Sequence, residues 1–112
     1  MANTYKNNVS TVTSTGSDEA IYTCPSDATA IVNTIFIYNG SGGSTDFTIS
    51  LHDTSASSSA KIYFKSALAA AATDTVLGSG IVVVLEDSDI LRINTTVQPI
   101  DVTVSVLQIT RA

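Results

Sequence analysis

The sequence predicts an all-β fold, an antiparallel β-sandwich of eight or nine strands in a single domain spanning residues 1–112. The run 100–110 alternates apolar and polar residues with a period of two, which is typical of a strand with one buried face. The run 29–39 is rich in β-branched and aromatic residues and contains neither Gly nor Pro. Turn residues recur at short intervals between such runs, so a jelly-roll connectivity is expected.

The first half of the chain supplies four predicted strands separated by turns. The opening run is rich in Thr and Ser with few aliphatic side chains, so a weak or edge strand is expected there. Gly, Asn, Pro and Asp mark the turns at 16–19, 25–27 and 39–44, because these residues accept or favour turn geometry. The predicted strands are 5–15, 20–24, 29–39 and 46–52, the last with Phe47, Ile49 and Leu51 facing inward.

The second half is predicted to hold five more strands. The apolar run 80–85 is expected to be covered on both faces, and a turn at 86–89 is expected to return the chain as its antiparallel partner. Residues 66–73 have a high helix propensity but are too few to hold a helix alone, so a turn or a single helical turn is expected. The predicted strands are 61–65, 75–77, 80–85, 90–94 and 100–110.

The composition favours surfaces that meet other proteins. Charged residues make up only 13% of the chain, against about 25% in an average soluble domain. Polarity comes instead from fifteen Ser and sixteen Thr, which suit the outer faces of strands. Because few surface charges mean weak self-repulsion, packing against copies or neighbours is easy.

The charge pattern argues against nucleic acid and membranes as partners. The net charge is −5, and the basic residues Lys6, Lys61, Lys65, Arg92 and Arg111 are mostly scattered. In 61–65, the two lysines and Tyr63 are predicted to share one face, opposite Ile62 and Phe64; this face could hold a phosphate backbone, but a solvated outer face is favoured. No run approaches the ~18 apolar residues of a membrane span. The opening has no secretory h-region, so synthesis in a cytoplasm is expected.

The sequence assigns no catalytic, cofactor-binding or metal-binding residue, and a non-enzyme is expected. His52 and Asp53 are adjacent, but a serine hydrolase needs a Gly-x-Ser-x-Gly elbow, and Gly78-Ser79-Gly80 is not one. A small hydrolytic enzyme is therefore the disfavoured rival.

Two further groups of residues have plain structural interpretations. Glu86, Asp87 and Asp89 could offer oxygens to Ca²⁺, but the spacing of a calcium loop is absent and Asp favours turns. Cys24 is the single cysteine, so it cannot form an intrachain disulfide, and a buried thiol is expected.

Three segments, read in order, carry a resemblance. They are the opening Met1–Asn7, the segment Tyr22–Pro25 leading into 29–39, and Leu85–Ile93. Through them, over nearly its whole length, the chain resembles the small all-β accessory proteins of tailed-bacteriophage virions. The third segment is similar to the Leu-x-x-Gly-Asp-x-Leu-x-Val hairpin of jelly-roll domains, including tumour-necrosis-factor-like trimers, with Ser88 where Gly is usual.

The resemblance implies a structural role in a virion, reached after synthesis in the host bacterial cytoplasm, and no catalytic residues. It implies foremost a capsid decoration or cement protein that binds and stabilises the major capsid lattice. A neck or tail accessory protein, or a receptor- or glycan-binding tip module, is the alternative. The implied partners are the major capsid protein or other virion proteins and further copies of the chain, with a trimer as one arrangement. Thr4, Tyr5 and Lys6 are expected to reach a neighbouring subunit.

Overall fold

The computed structural model describes residues 2–77 and 83–110, and the regular structure in these residues is entirely β. The predicted all-β sandwich is confirmed. The Gly78-Ser79-Gly80 sequence and the start of the predicted strand 80–85 lie outside the described residues. The strands are β1 (Ala2–Val12), β2 (Glu19–Thr23), β3 (Ala28–Asn39), β4 (Thr45–Asp53), β5 (Ser58–Leu68), β6 (Thr73–Val76), β7 (Val83–Leu85), β8 (Ile90–Thr95) and β9 (Ile100–Thr110).

The strands form two antiparallel sheets. Sheet I has the order β1-β9-β3-β6, and β7 pairs with β3 beside β6. Sheet II has the order β2-β8-β4-β5. Every ladder joins a strand from the first half of the chain, β1 to β4, to a strand from the second half, β5 to β9.

The ladders are nested about the middle of the chain. Asp53 pairs with Ser58, Ile35 with Val76, Glu19 with Ile93, and Ala2 with Thr110. The chain is therefore one long hairpin that is rolled up so that its successive pairs fall alternately in the two sheets. Since β6 and β7 share one edge of β3, eight strand positions result, and the expected jelly-roll connectivity is confirmed.

The core lies between the sheets and consists mainly of aliphatic side chains. The predicted alternation of the last strand is confirmed, since Val102, Val104 and Val106 are buried. In β4, Phe47 and Ile49 are buried as predicted, while Leu51 is only partly buried. Each such side chain contributes about 1.5–3 kcal/mol by leaving water.

A β-bulge explains how β3 buries two apolar stretches that are out of phase. Val32 pairs with Val106 and Thr34 with Ser105, so Asn33 is the extra residue. The bulge shifts the alternation by one, and both Val32 and Ile35 therefore point into the core.

The predicted faces of β5 are wrong. Ile49 pairs with Tyr63 but Ser50 pairs with Lys61, so an extra residue at Ile62 puts Lys61 and Tyr63 on opposite faces. Tyr63 packs on the core side against Phe47, with ring centroids 5.8 Å apart. Phe64 lies on the outer face of sheet II and is 62% exposed. The bulge, which the alternation rule does not anticipate, causes the difference.

The turn expected within residues 66–73 is present at 69–72, between β5 and β6, and the helical alternative is wrong. Strand β5 continues to Leu68, whose side chain is buried. Ala67 and Ala71 have positive φ values of 55° and 60°, which a right-handed helix excludes. The Ala67 N–H donates to Asp46 Oδ1 at 2.8 Å, so tertiary contacts override the helix propensity of the alanines.

The turn at 86–89 is confirmed, but the predicted pairing of the strands on either side of it is wrong. Strand β8 does not pair with β7; it crosses to sheet II and lies between β2 and β4. The turn is bonded to the residue that follows β2 in sheet II, because the Ser88 N–H donates to Cys24 O at 3.1 Å. Ser88 has a φ of 66°, in the left-handed region that Gly adopts most readily. Coverage of the run 80–85 on both faces is also wrong for Val84, which is 52% exposed.

Candidate functional site

His52 and Asp53 do not form a catalytic triad. His52 Nδ1 lies 2.7 Å from Ser59 Oγ, its cross-strand partner at the β4–β5 turn. Asp53 Oδ1 accepts hydrogen bonds from Ser55 Oγ and the Ala56 N–H, and these bonds lower the pKa of the Asp53 carboxyl. The carboxylate therefore stabilises the turn and does not orient the imidazole.

The acidic turn after β7 is held by its own carboxylate. Asp89 is buried; its Oδ1 accepts from the Thr54 N–H at 3.1 Å and its Oδ2 from the Glu86 N–H at 3.0 Å. Within residues 2–77 and 83–110, no three His, Cys, Asp or Glu side chains are grouped so as to hold a metal ion. Cys24 is a buried thiol, as predicted, and donates to Ala28 O at 3.4 Å.

A cleft of about 560 Å³ lies between the edges of β1 and β2. Polar groups on the two sides of the cleft are hydrogen-bonded to each other: Asn8 Nδ2 donates to Ile21 O, and Gln108 Nε2 donates to Tyr22 Oη. Burial raises the pKa of Tyr22, and the bond from Gln108 partly offsets that rise. These bonds tie the two sheets together on this side of the sandwich.

A hydrogen bond from Tyr63 Oη to Asp74 Oδ2, 2.8 Å long, joins the sheets on the opposite side. This bond is the main reason that the pKa of Tyr63 is raised. The folded state therefore favours the neutral phenol, and this contribution to stability is complete below the unfolded-state pKa of about 10.

Replacing Tyr63 with Phe is expected to lower the free energy of unfolding by about 1 kcal/mol at neutral pH, because one partly buried hydrogen bond is lost. The difference from wild type should shrink as the pH rises above about 10 through the folded-state pKa. Thermal unfolding at several pH values measures both effects. Tyr5→Phe is the control, and equal behaviour of the two variants would contradict the assigned bond.

The outer face of sheet I is apolar across four strands. Tyr5, Leu107, Ile31 and Val84 are successive register partners, so they form one continuous row. We call the apolar face the set Tyr5, Val9, Ile31, Phe36, Tyr38, Val84, Leu107 and Ile109. Five of these side chains are large and at least 40% exposed, which is unusual for a surface that meets only water.

Charge is almost absent from the apolar face. Among the described residues, the register places one carboxylate on it, Asp101, which accepts a hydrogen bond from Thr11 Oγ1 at 2.9 Å. Between the apolar rows lie hydroxyls, and that of Thr34 donates to Val76 O at 3.2 Å. The Thr34 hydroxyl therefore needs no new partner when the face is covered, whereas the Asp101 carboxylate must keep its contact with water or gain a positively charged partner.

The outer face of sheet II is different in kind. Hydroxyl, amide and charged groups line a shallow depression of about 350 Å³. Asn94 Nδ2 donates to Asp18 Oδ1 at 3.0 Å within it. Phe64, next to Thr48 in the register, is the one large exposed aromatic that the described residues place on this face.

Two of the four strand positions at the ends of the sheet orders, β1 and β5, are protected from pairing with a further strand to different degrees. Strand β5 has two register shifts and carries Lys61 and Lys65, and both features discourage pairing with another strand. Strand β1 pairs with β9 over eleven residues without a shift, and Lys6 is its single charged residue. Its other edge has no partner strand in the described part of the chain.

The three predicted interface residues lie on this free strand. Thr4, Tyr5 and Lys6 are all exposed, but they are paired with β9 and do not extend from the domain as an arm. Tyr5 belongs to the apolar face, which sequence reasoning missed. The available signal was the run 29–39, which carries apolar residues on both parities and therefore predicts two apolar faces.

Comparison with known proteins identifies no relative: no protein family, no curated protein and no solved structure matches the chain. Among the described residues there is no helix with the length and hydrophobicity that crossing a bilayer requires.

Proposed function

We propose that the protein is a non-catalytic structural component of a tailed-bacteriophage virion, a capsid decoration or cement protein that binds and stabilises the major capsid lattice. The observation that carries the proposal is the long free edge of β1. Proteins that remain alone in solution blunt such edges with bulges, charges or proline, and β1 has one lysine and none of the other devices.

A free edge of this kind binds by adding a strand. A neighbouring protein that lays an extended segment along β1 would satisfy the row of unpaired backbone groups and extend sheet I. Thr4, Tyr5 and Lys6 would then contact the neighbour, Lys6 offering a positive charge in a chain of net charge −5. Repetition of this contact over a symmetric lattice multiplies a weak individual affinity.

Two further properties support a virion partner over a small-molecule substrate. The segments Met1–Asn7, Tyr22–Pro25 and Leu85–Ile93 resemble those of phage accessory proteins, and the jelly-roll strand order agrees with that resemblance. In the cleft between β1 and β2, four of the lining residues, Asn8, Ile21, Tyr22 and Gln108, already bond to each other. The surfaces left for binding are extended strand edges and sheet faces.

The test is immunogold electron microscopy, with antibodies against the purified chain, on phage particles induced from the bacterium that carries its gene. Regular labelling over the heads is the expected result. Labelling confined to the neck, the tail or the tail tip would replace the capsid assignment with the accessory or receptor-binding alternative. A chain found only in the soluble lysate, and never in purified particles, would contradict the virion role.

Strand β1 is tested with two edge variants. Tyr5→Lys combined with Asn3→Lys adds charge to the free strand and is expected to reduce occupancy on particles at least tenfold, because charges oppose strand addition. Ile62→Lys on β5 is the matched control and should bind like wild type. Circular dichroism establishes that each variant is folded. Equal occupancy of both variants would contradict the assignment of β1.

A further inference from the structure

We propose that two copies of the chain pack face to face through the apolar face of sheet I, as a two-fold symmetric dimer. The inference does not depend on the proposed virion role, because it concerns the purified chain alone. It also uses the face of sheet I rather than the free backbone edge of β1, and Tyr5 is the one residue that the two contacts share.

The size of the face matches what a stable dimer needs. Four strand positions at about 4.8 Å and ten residues at about 3.4 Å give about 650 Å² per copy. Two copies would bury about 1,300 Å², which is within the range of specific protein interfaces, about 1,200–2,000 Å².

The chemistry of the face favours a second copy over a different partner. A two-fold contact places the same surface on both sides, so the surface must be complementary to itself. The row Tyr5–Leu107–Ile31–Val84 and the side chains of Phe36 and Val9 offer flat, uncharged rows that can interdigitate as sandwich sheets do. The face carries no set of charges that would select a basic or an acidic partner.

The two polar groups on the face with bonds within the chain differ in how they respond to a second copy. The Thr34 hydroxyl donates to Val76 O and needs no new partner, whereas the Asp101 carboxylate lies one register pair from the end of the β9 ladders, so it can stay in contact with water at the rim of the interface. The other carboxylates of the described residues lie off the face by register or in turns. Repulsion between two copies of net charge −5 therefore acts over a distance and is screened by salt.

The test is sedimentation velocity of the purified chain at concentrations from about 1 to about 200 µM, a range that also detects weak association, because buried area alone does not set the affinity. The expected result for wild type is a reversible dimer whose dissociation constant falls as NaCl is raised. A monomer throughout this range would overturn the proposal, and so would a closed trimer, since neither is a two-fold pair.

Matched aromatic variants locate the interface. Phe36→Asp, on the apolar face, is expected to weaken dimerisation at least about 100-fold, because symmetry buries two unpaired charges. Phe64→Asp changes a phenylalanine on the outer face of sheet II that is 62% exposed, against 50% for Phe36, and this variant should dimerise like wild type. Val84→Glu is a second face variant, in case Phe36→Asp does not fold. Equal effects of the Phe36 and Phe64 changes would place the contact elsewhere and overturn the assignment.

Hydrogen exchange separates face packing from edge pairing. A dimer made through the apolar face should leave exchange of the β1 edge amides unchanged between low and high concentration. If the β1 amides become protected on dimerisation, the two copies pair through their edges and the face-to-face arrangement is wrong.

Discussion

Phe47→Ala is expected to lower the free energy of unfolding by about 3–5 kcal/mol, because it leaves a cavity between the sheets. The Phe47 side chain is 1% exposed and packs against the Tyr63 ring. For a domain of this size the loss corresponds to a decrease in Tm of about 12 °C or more. Urea unfolding followed by circular dichroism gives the free energy, and differential scanning calorimetry gives Tm.

The matched control for that substitution is Phe64→Ala, on the neighbouring strand. Because Phe64 is 62% exposed on the outer face of sheet II, its removal should change stability by no more than about 0.5 kcal/mol. The pair of variants also tests the bulge at Ile62, since a regular β5 would place Phe64 in the core. Comparable losses for both variants would mean that the faces of β5 are assigned wrongly.

Asn39→Asp is expected to lower the free energy of unfolding by a similar amount, although it only replaces the side-chain NH₂ group with an oxygen. Asn39 is fully buried, and its Nδ2 donates to Gly43 O at 2.8 Å and Leu68 O at 2.9 Å. A carboxylate cannot donate, so two carbonyls lose their partner and a charge is buried beside them. The expected loss is about 3–5 kcal/mol at neutral pH.

Asn39 Oδ1 also accepts from the Ser41 N–H and hydroxyl, so the side chain fixes the turn after β3 as well as the end of β5. Asn33→Asp is the control, because Asn33 is the exposed bulge residue of the same strand. Its effect should stay within about 0.5 kcal/mol. The measurement is urea unfolding at pH 7, and a small effect of Asn39→Asp would contradict the donor network.

The fold could be predicted from the sequence wherever one face of a strand alternates regularly. The alternation of β9 and of β4 gave the correct inward residues, and the spacing of turns predicted the sandwich. The errors arose at irregular positions. A bulge at Ile62 puts Lys61 and Tyr63 of β5 on opposite faces, and a bulge at Asn33 shifts the alternation of β3 by one residue. Neither bulge can be predicted from a regular alternation of apolar and polar residues.

Partner choice between strands was the other limit. Sequence reasoning paired β8 with β7 because they are adjacent in the chain, whereas β8 lies between β2 and β4. A turn such as 86–89 can stay within a sheet or cross to the other, and the contacts that decide it, from Ser88 to Cys24, are far apart in sequence. The apolar face is a similar case, because it is assembled from β1, β3, β7 and β9.

The ladders that join only first-half strands to second-half strands have a consequence for biosynthesis. While the ribosome is still making the first half, β1 to β4 have no partner with which to form any of the observed ladders. The apolar side chains of this nascent segment therefore cannot be buried through these ladders until β5 has been synthesised and can pair with β4. Assembly is then expected to proceed outward, and the ladder with the greatest sequence separation, which pairs Ala2 with Thr110, is expected to close last.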